Sequence, residues 1–292
     1  MPSIHGEKVV LRVLDKSTAI LDLNKLGFDA DVLGQFKSLL KRPYGLVLVC
    51  GPTGSGKTTT LYSALAMLDK SEMNIVTIED PVEYELEDIS QTQVNDFIGL
   101  SFAKYLKHAL RQDPDIILVG EIRDRETAEI AIQASLTGHL VLTTLHTNDS
   151  PSAITRLLEM GVEPYLMSSS LLACLAQRLV RTICPECATD YYPPKGVLKE
   201  LGIDEDKNMQ LSKGKGCSLC YDSGFKGRTG IHELMKMDEG LQSLILENPT
   251  LDTLQRYLGE KGQKRLKGLG YEKVLKGVTT IEEVRRVTSV EM

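Results

Sequence analysis

An α/β fold built on a mostly parallel sheet, followed by a small tetracysteine module and a C-terminal helical region, is the fold class this sequence predicts. Three observations predict it. Short Val-, Ile- and Leu-rich runs alternate with helical patterns through the first half. Two C-x-x-C pairs, Cys184/Cys187 and Cys217/Cys220, stand in a stretch rich in Pro and Gly. Periodic apolar residues return from about Met235. The 292 residues are a soft prior for about two domains, and they suffice for a core that needs no disulfides.

Residues 1–30 read as the remnant of a preceding N-terminal domain and its linker. GEKVVLRVLD has the pattern of a strand, but nothing before it completes a fold. The α/β core is expected over 31–180. Its strands are Leu46–Cys50, Asn74–Ile78, Ile116–Val119 and Leu140–Leu145, apolar runs with little alternation, as suits strands covered on both faces. Helical patterns lie between them at Thr58–Leu68, at Phe102–Leu110 with Ser101 as its N-cap, and at Arg125–Leu136. Such alternation implies βαβ units wound on both sides of the sheet. The tetracysteine module is expected over 181–234. A C-terminal helical region is expected over 235–292, where Leu241, Leu244, Ile245, Leu251, Leu254 and Leu258 recur at helical spacing.

The composition narrows the function. Lys plus Arg is 34 against 40 for Asp plus Glu, a net charge of −6, which argues against general nucleic-acid coating. Aromatic residues make up 5% with no Trp, leaving little to stack on bases. No apolar run approaches the roughly 18 residues that span a bilayer. No secretory signal opens the sequence, so a cytoplasmic location is expected.

Gly51-Pro52-Thr53-Gly54-Ser55-Gly56-Lys57-Thr58 matches G-x-x-x-x-G-K-[ST], with Thr59 following. A buried strand precedes it and a helix follows, which is the context a phosphate-binding loop requires. The glycines permit a close backbone approach. The loop amides and the helix N-terminus then face a phosphate chain. Lys57 would neutralise the β- and γ-phosphates and the Thr58 hydroxyl would ligate Mg²⁺.

Acids follow at successive strand ends, where α/β sheets keep their ligands. Glu79, Asp80 and Glu83 follow the second strand, and Glu121 follows the third after four apolar residues. A carboxylate there can hold Mg²⁺ or polarise the attacking water. The fourth strand is opened by His139 and followed by His146. Each of these residues also has a plain structural alternative, as a helix cap or a solvent-facing polar group. One strand lies between the P-loop strand and the strand bearing Glu121, an order that suits a RecA-like ATPase. A GTPase would carry N-K-x-D after the P-loop; the nearest match, Asn24-Lys25-Leu26-Gly27, precedes it and lacks the Asp.

The cysteines are spaced C-x₂-C, 29 residues, C-x₂-C. Four thiolates can surround Zn²⁺ with no open position, so the metal would be structural. A redox role is disfavoured, because neither pair opens a helix after a βαβ strand. Cys50 and Cys174 lie in apolar contexts and read as small buried residues.

GPTGSGKTTT, VTIEDPVEY, LRQDPDIILVGEIRDRETAEIAIQASLTGHLVLTTLHTND and the paired CxxC motifs together resemble the ATPases of type II secretion and type IV pilus assembly, from Gly6 to the C-terminus. The resemblance implies an Mg-dependent ATPase with four named blocks. Lys57 and Thr58 fall in Walker A and Glu121 in Walker B. Glu79, Asp80 and Glu83 fall in the Asp box, one of whose glutamates is the general base; the sequence does not choose between Glu79 and Glu83. His139 and His146 match the two His-box histidines. Members of the family work as hexameric rings and act through an inner-membrane platform protein, so the resemblance implies a homo-oligomer held at that membrane by its partners. ATP lies between this portion and the preceding domain, and Arg12, Arg111 and Arg228 match arginines that complete its charge neutralisation. Assembly and secretion members carry the tetracysteine module, whereas retraction members lack it. Two other classes share parts of the pattern: a nucleic-acid motor with a zinc ribbon, disfavoured by charge, and a non-hydrolysing nucleotide sensor, disfavoured by intact Lys57, Thr58 and Glu121.

Overall fold

The apolar runs become the centre of one seven-stranded sheet. The computed structural model describes residues 2–9, 21–204 and 209–289. A short antiparallel ribbon, β1 (Pro2–Ser3) with β2 (Gly6–Glu7), comes first. The α/β portion runs α1 (Ala30–Leu39), β3 (Gly45–Cys50), α2 (Lys57–Met67), β4 (Ile75–Glu79), β5 (Ser90–Gln93), α3 (Phe102–Ala109), β6 (Ile116–Val119), α4 (Arg125–Leu136), β7 (Leu140–Leu145), α5 (Ser150–Glu159) and α6 (Pro164–Ser170). There follow β8 (Leu171–Ile183), β9 (Ala188–Tyr191), α7 (Lys195–Glu200), β10 (Leu211–Gly214) and β11 (Phe225–Lys236). Four helices close the chain: α8 (Glu239–Leu246), α9 (Leu251–Glu260), α10 (Leu266–Leu275) and α11 (Ile281–Thr288).

The sheet order is β11-β8-β3-β7-β6-β4-β5, and every pairing is parallel except β11 on β8. Successive side chains of a strand point to opposite faces, and β3 shows what that builds. Leu46, Leu48 and Cys50 join a core with Leu106 of α3, Ala131 of α4 and Ile154 of α5, which extends to Leu254 of α9 and Leu269 of α10. Val47 and Val49 join Phe36 of α1 and Leu61 and Leu65 of α2 on the other face. All six residues of β3 and of β7 are buried, which explains the missing alternation. Ser101 caps α3 as its sequence suggests, its side chain accepting from the Lys104 amide.

The structure departs from the expected organisation at the two long strands. β8 runs across residue 181 and β11 returns antiparallel beside it, from Phe225 opposite Ile183 to Lys236 opposite Ala173. The cysteine stretch is therefore an excursion between two strands of the main sheet. It contains the β9–β10 ribbon, with Leu211 opposite Tyr191. The Leu- and Ala-rich sequence of β8 carries helix-forming residues; burial between β3 and β11 makes it a strand.

Candidate functional site

A cleft of about 600 Å³ opens beyond the C-terminal ends of β3, β4, β6 and β7. Into it the fold brings the P-loop, Glu79, Asp80, Glu83, Glu121 and His146 from four separate strand ends.

The P-loop is shaped by backbone. Gly54 and Gly56 have φ of +78° and +88°, and a Cβ on Gly51 would come within 2.6 Å of both the Gln177 carbonyl and Ser55 Oγ. Gly56 is the N-cap of α2 and brings no side chain to its first amides, which is the unfilled donor set an anion completes. Lys57 Nζ donates to the Gly51 and Pro52 carbonyls at 2.8 and 3.1 Å, folded back on its own loop. Burial lowers the Lys57 ammonium below its ordinary range, and Glu121 opposes that effect. Ser55 Oγ is buried and, among the described residues, has no hydrogen-bond partner. Gln177 of β8 braces the loop from behind: its Nε2 donates to the Ser55 carbonyl at 2.6 Å and its Oε1 accepts from Thr60 Oγ1 at 2.9 Å. Thr53 and Thr58 line the cleft; Thr59 lies on α2 and lines a neighbouring one.

The acids divide into two kinds. Glu79 is 3% exposed. Its carboxylate accepts from Tyr62 Oη, from Thr77 Oγ1 at 2.5 Å and from Gln91 Nε2 at 3.1 Å. Burial first, and then this carboxylate, push the Tyr62 phenol well above its ordinary pKa, so it stays a donor. Glu83 is half-buried at the cleft wall and Asp80 is exposed. Glu121 faces the P-loop, with His146 Nε2 at 3.2 Å from its Oε2 and the Arg123 guanidinium on its Oε1. Arg123 also reaches Asp80 Oδ2 at 3.1 Å, joining the ends of β4 and β6.

Several expected residues lie elsewhere. His139 stands at the opposite end of β7, about 20 Å of strand away from His146, with Nδ1 2.9 Å from the Ala134 carbonyl. It does not line the cleft. Arg111 is exposed past α3, near the start of β4 where Asn74 meets the Gln112 carbonyl, and it too is outside the cleft. Arg228 lines a second cleft of about 480 Å³, which shares Gly56 and reaches Thr59 and Lys25. Arg12 falls outside the described residues. Arg123, Tyr62 and Gln91 were missed in the sequence. Arg123 follows Glu121 by two residues, a signal within reach; the other two act through pairings that no local pattern carries.

The four cysteines converge. Their sulfurs lie within 4.8 Å of one another, with Cys184–Cys217 and Cys187–Cys220 at 3.9 Å and Cys217–Cys220 at 3.7 Å. Tetrahedral Zn²⁺ with bonds of about 2.3 Å requires sulfurs about 3.8 Å apart, so the donor set fits that ion. Burial would raise the Cys220 thiol, but the Cys217 and Gly224 amides, donating to its sulfur at 3.2 and 3.3 Å, bring it down to about 6. Cys50 and Cys174 are fully buried in the core, sulfurs 3.5 Å apart.

With this geometry the similarities to known proteins can be placed. The family described as type II/IV secretion system protein matches residues 1–286. The chain is 50% identical over 288 residues to the type II secretion system ATPase E of Vibrio cholerae serotype O1, covering 99% of this chain and 57% of that protein. It is 50% identical over 289 residues to the type IV pilus assembly ATPase PilB of Myxococcus xanthus, covering 97% of this chain and 50% of that protein. The chain thus spans about half the length of these relatives. A crystal structure of the pilus retraction motor PilT with bound ADP superposes with a TM-score of 0.68 at 30% identity, covering 92% of this chain and 67% of that one. Among the described residues no helix is long and apolar enough to cross a membrane.

Proposed function

The chain belongs to the type II/IV secretion system protein family, and on that premise we propose that it hydrolyses ATP to drive type II secretion or the assembly of a type IV pilus or pseudopilus. The observation that carries the proposal is the cleft itself, where a P-loop, the carboxylates of Glu83 and Glu121 and the His146 imidazole meet from four strand ends.

In this reading the amides of Gly54 to Thr58 and the Lys57 ammonium hold the phosphates. Lys57 exchanges two main-chain carbonyls for phosphate oxygens. Thr58 and Glu121 are the residues that would hold Mg²⁺, which when bound offsets charge on the phosphate oxygens. Glu83 takes the proton of the attacking water. Glu79 has both oxygens engaged and holds the wall. His146 and Arg123 fix the Glu121 carboxylate. Arg228 lies beside the nucleotide on the second cleft. Arg111 and Arg12 act across subunit boundaries of a hexameric ring. His139, at the far end of its strand, stands apart from this cleft. The tetracysteine cluster holds a structural Zn²⁺, and its presence favours secretion or assembly over retraction. An inner-membrane platform protein is the partner, and the ring works at the cytoplasmic face of that membrane.

Steady-state ATP hydrolysis against protein concentration tests this. Specific activity is expected to rise with concentration, as for a site completed between subunits. Lys57→Ala should lower turnover about 10²- to 10³-fold, with an unchanged melting temperature. Turnover that persists in Lys57→Ala would remove the assignment.

A further inference from the structure

His146 meets Glu121 in the cleft, yet its side chain is half exposed. What steadies it comes from behind. The Asn148 carbonyl accepts from Arg178 Nη2 at 2.7 Å, and Arg178 Nε donates to the Val287 carbonyl near the end of α11 at 3.0 Å. Asp149 accepts from the Arg265 guanidinium and, at 3.2 Å, from Gln255 Nε2 of α9. Ser150 donates through its amide at 3.2 Å and its hydroxyl at 2.5 Å to Glu233 of β11. Glu233 also accepts the Leu266 amide of α10 at 2.8 Å and pairs with Arg265 Nε at 3.4 Å. Asn148, Asp149 and Ser150, the residues that follow His146 and Thr147, are thus fastened to β8, β11 and the C-terminal helices.

We infer that Arg265 is a positioning residue for His146, through its pair with Asp149, and that helices outside the cleft thereby set the placement of Glu121. Arg265 sits at the N-terminus of α10 and lines no part of the cleft. A displacement of about 1 Å in a catalytic group can cost up to roughly 100-fold in rate. The hinge of the inference is that Asp149 has two tasks: Oδ1 caps α5 by accepting from the Ser152 amide at 3.0 Å, while Oδ2 takes Arg265 and Gln255. Removing Arg265 takes the charged partner from Oδ2 and from Glu233, while Gln255 stays on Oδ2 and the cap of α5 is kept.

The inference rests on the ATPase reading above, and its test separates the two. Arg265→Gln should lower kcat about 10- to 100-fold with little change in ATP affinity. In a His146→Ala background the same substitution should change kcat by no more than about twofold, because the effect runs through the histidine. Arg265→Lys should recover most of the loss. Amide exchange in the peptide spanning 146–150 should quicken in Arg265→Gln and in the milder Gln255→Ala, which serves if the arginine variant folds poorly. Equal losses with and without His146, or unchanged exchange at 146–150 in both variants, would overturn the inference. If the unaltered protein turns over no ATP, the motor proposal fails, and the exchange data alone decide the positioning role.

Discussion

Glu79 and Glu83 are equivalent in the sequence, two acids just past one buried strand. Hydrogen bonding separates them. Three donors hold the two oxygens of Glu79, which is 3% exposed, whereas Glu83 is half-buried at the cleft wall. Glu79→Ala should therefore cost stability, about 2–3 kcal/mol in denaturant unfolding, because buried donors lose their acceptor. Glu83→Gln should leave stability within about 0.5 kcal/mol and lower turnover about 10²- to 10⁴-fold. The reverse pattern would exchange their roles. The P-loop was legible residue by residue, since its glycines answer to backbone angles that the sequence must encode. His139 and His146 look like a pair on paper, one at each end of one strand. In space a six-residue strand holds the two apart.

At the scale of elements, β3, β4, β6 and β7 were legible because burial on both faces writes itself as an unbroken apolar run. β8 and β11 were not, since their partners are each other and β3, all distant in sequence. The cysteine excursion closes the hairpin they form. Cys184→Ser should release one zinc per chain and speed proteolysis between residues 184 and 224, because metal binding free energy is folding free energy. Metal content and cleavage rate both unchanged would exclude a structural ion. α11 offers a second prediction. Burial would raise the Glu283 carboxyl, but Arg181 at 2.5 Å and Arg286 at 2.9 Å bring it down to about 2 from an ordinary 4.5. A folded-state pKa below the unfolded one contributes stability that is complete above about 4.5 and is lost as pH falls toward 2. Glu283→Gln should flatten that part of the acid limb in unfolding measured against pH.

For the whole molecule, the sheet decides where chemistry can occur. The acids and the histidine of the cleft stand at the C-terminal ends of parallel strands, so strand order gathers residues from 53 to 146 at one edge. Dependence of turnover on concentration is the prediction at this scale, and it follows from the proposal that Arg111 acts on another copy of the chain. The class of fold was legible from alternation and the P-loop; the merging of the C-terminal strands into the same sheet was not, because nothing local distinguishes a second module from a hairpin returning to the first.

The central place of β3 has a consequence for how the chain is made. Leu46 pairs with Val141 on one side and Leu171 on the other, both synthesised long after it. A growing chain therefore carries an apolar strand and a finished P-loop with neither neighbour available. Contacts so distant in sequence form slowly. The loop after β3, complete early in translation, gains its scaffold only when β8 has left the ribosome.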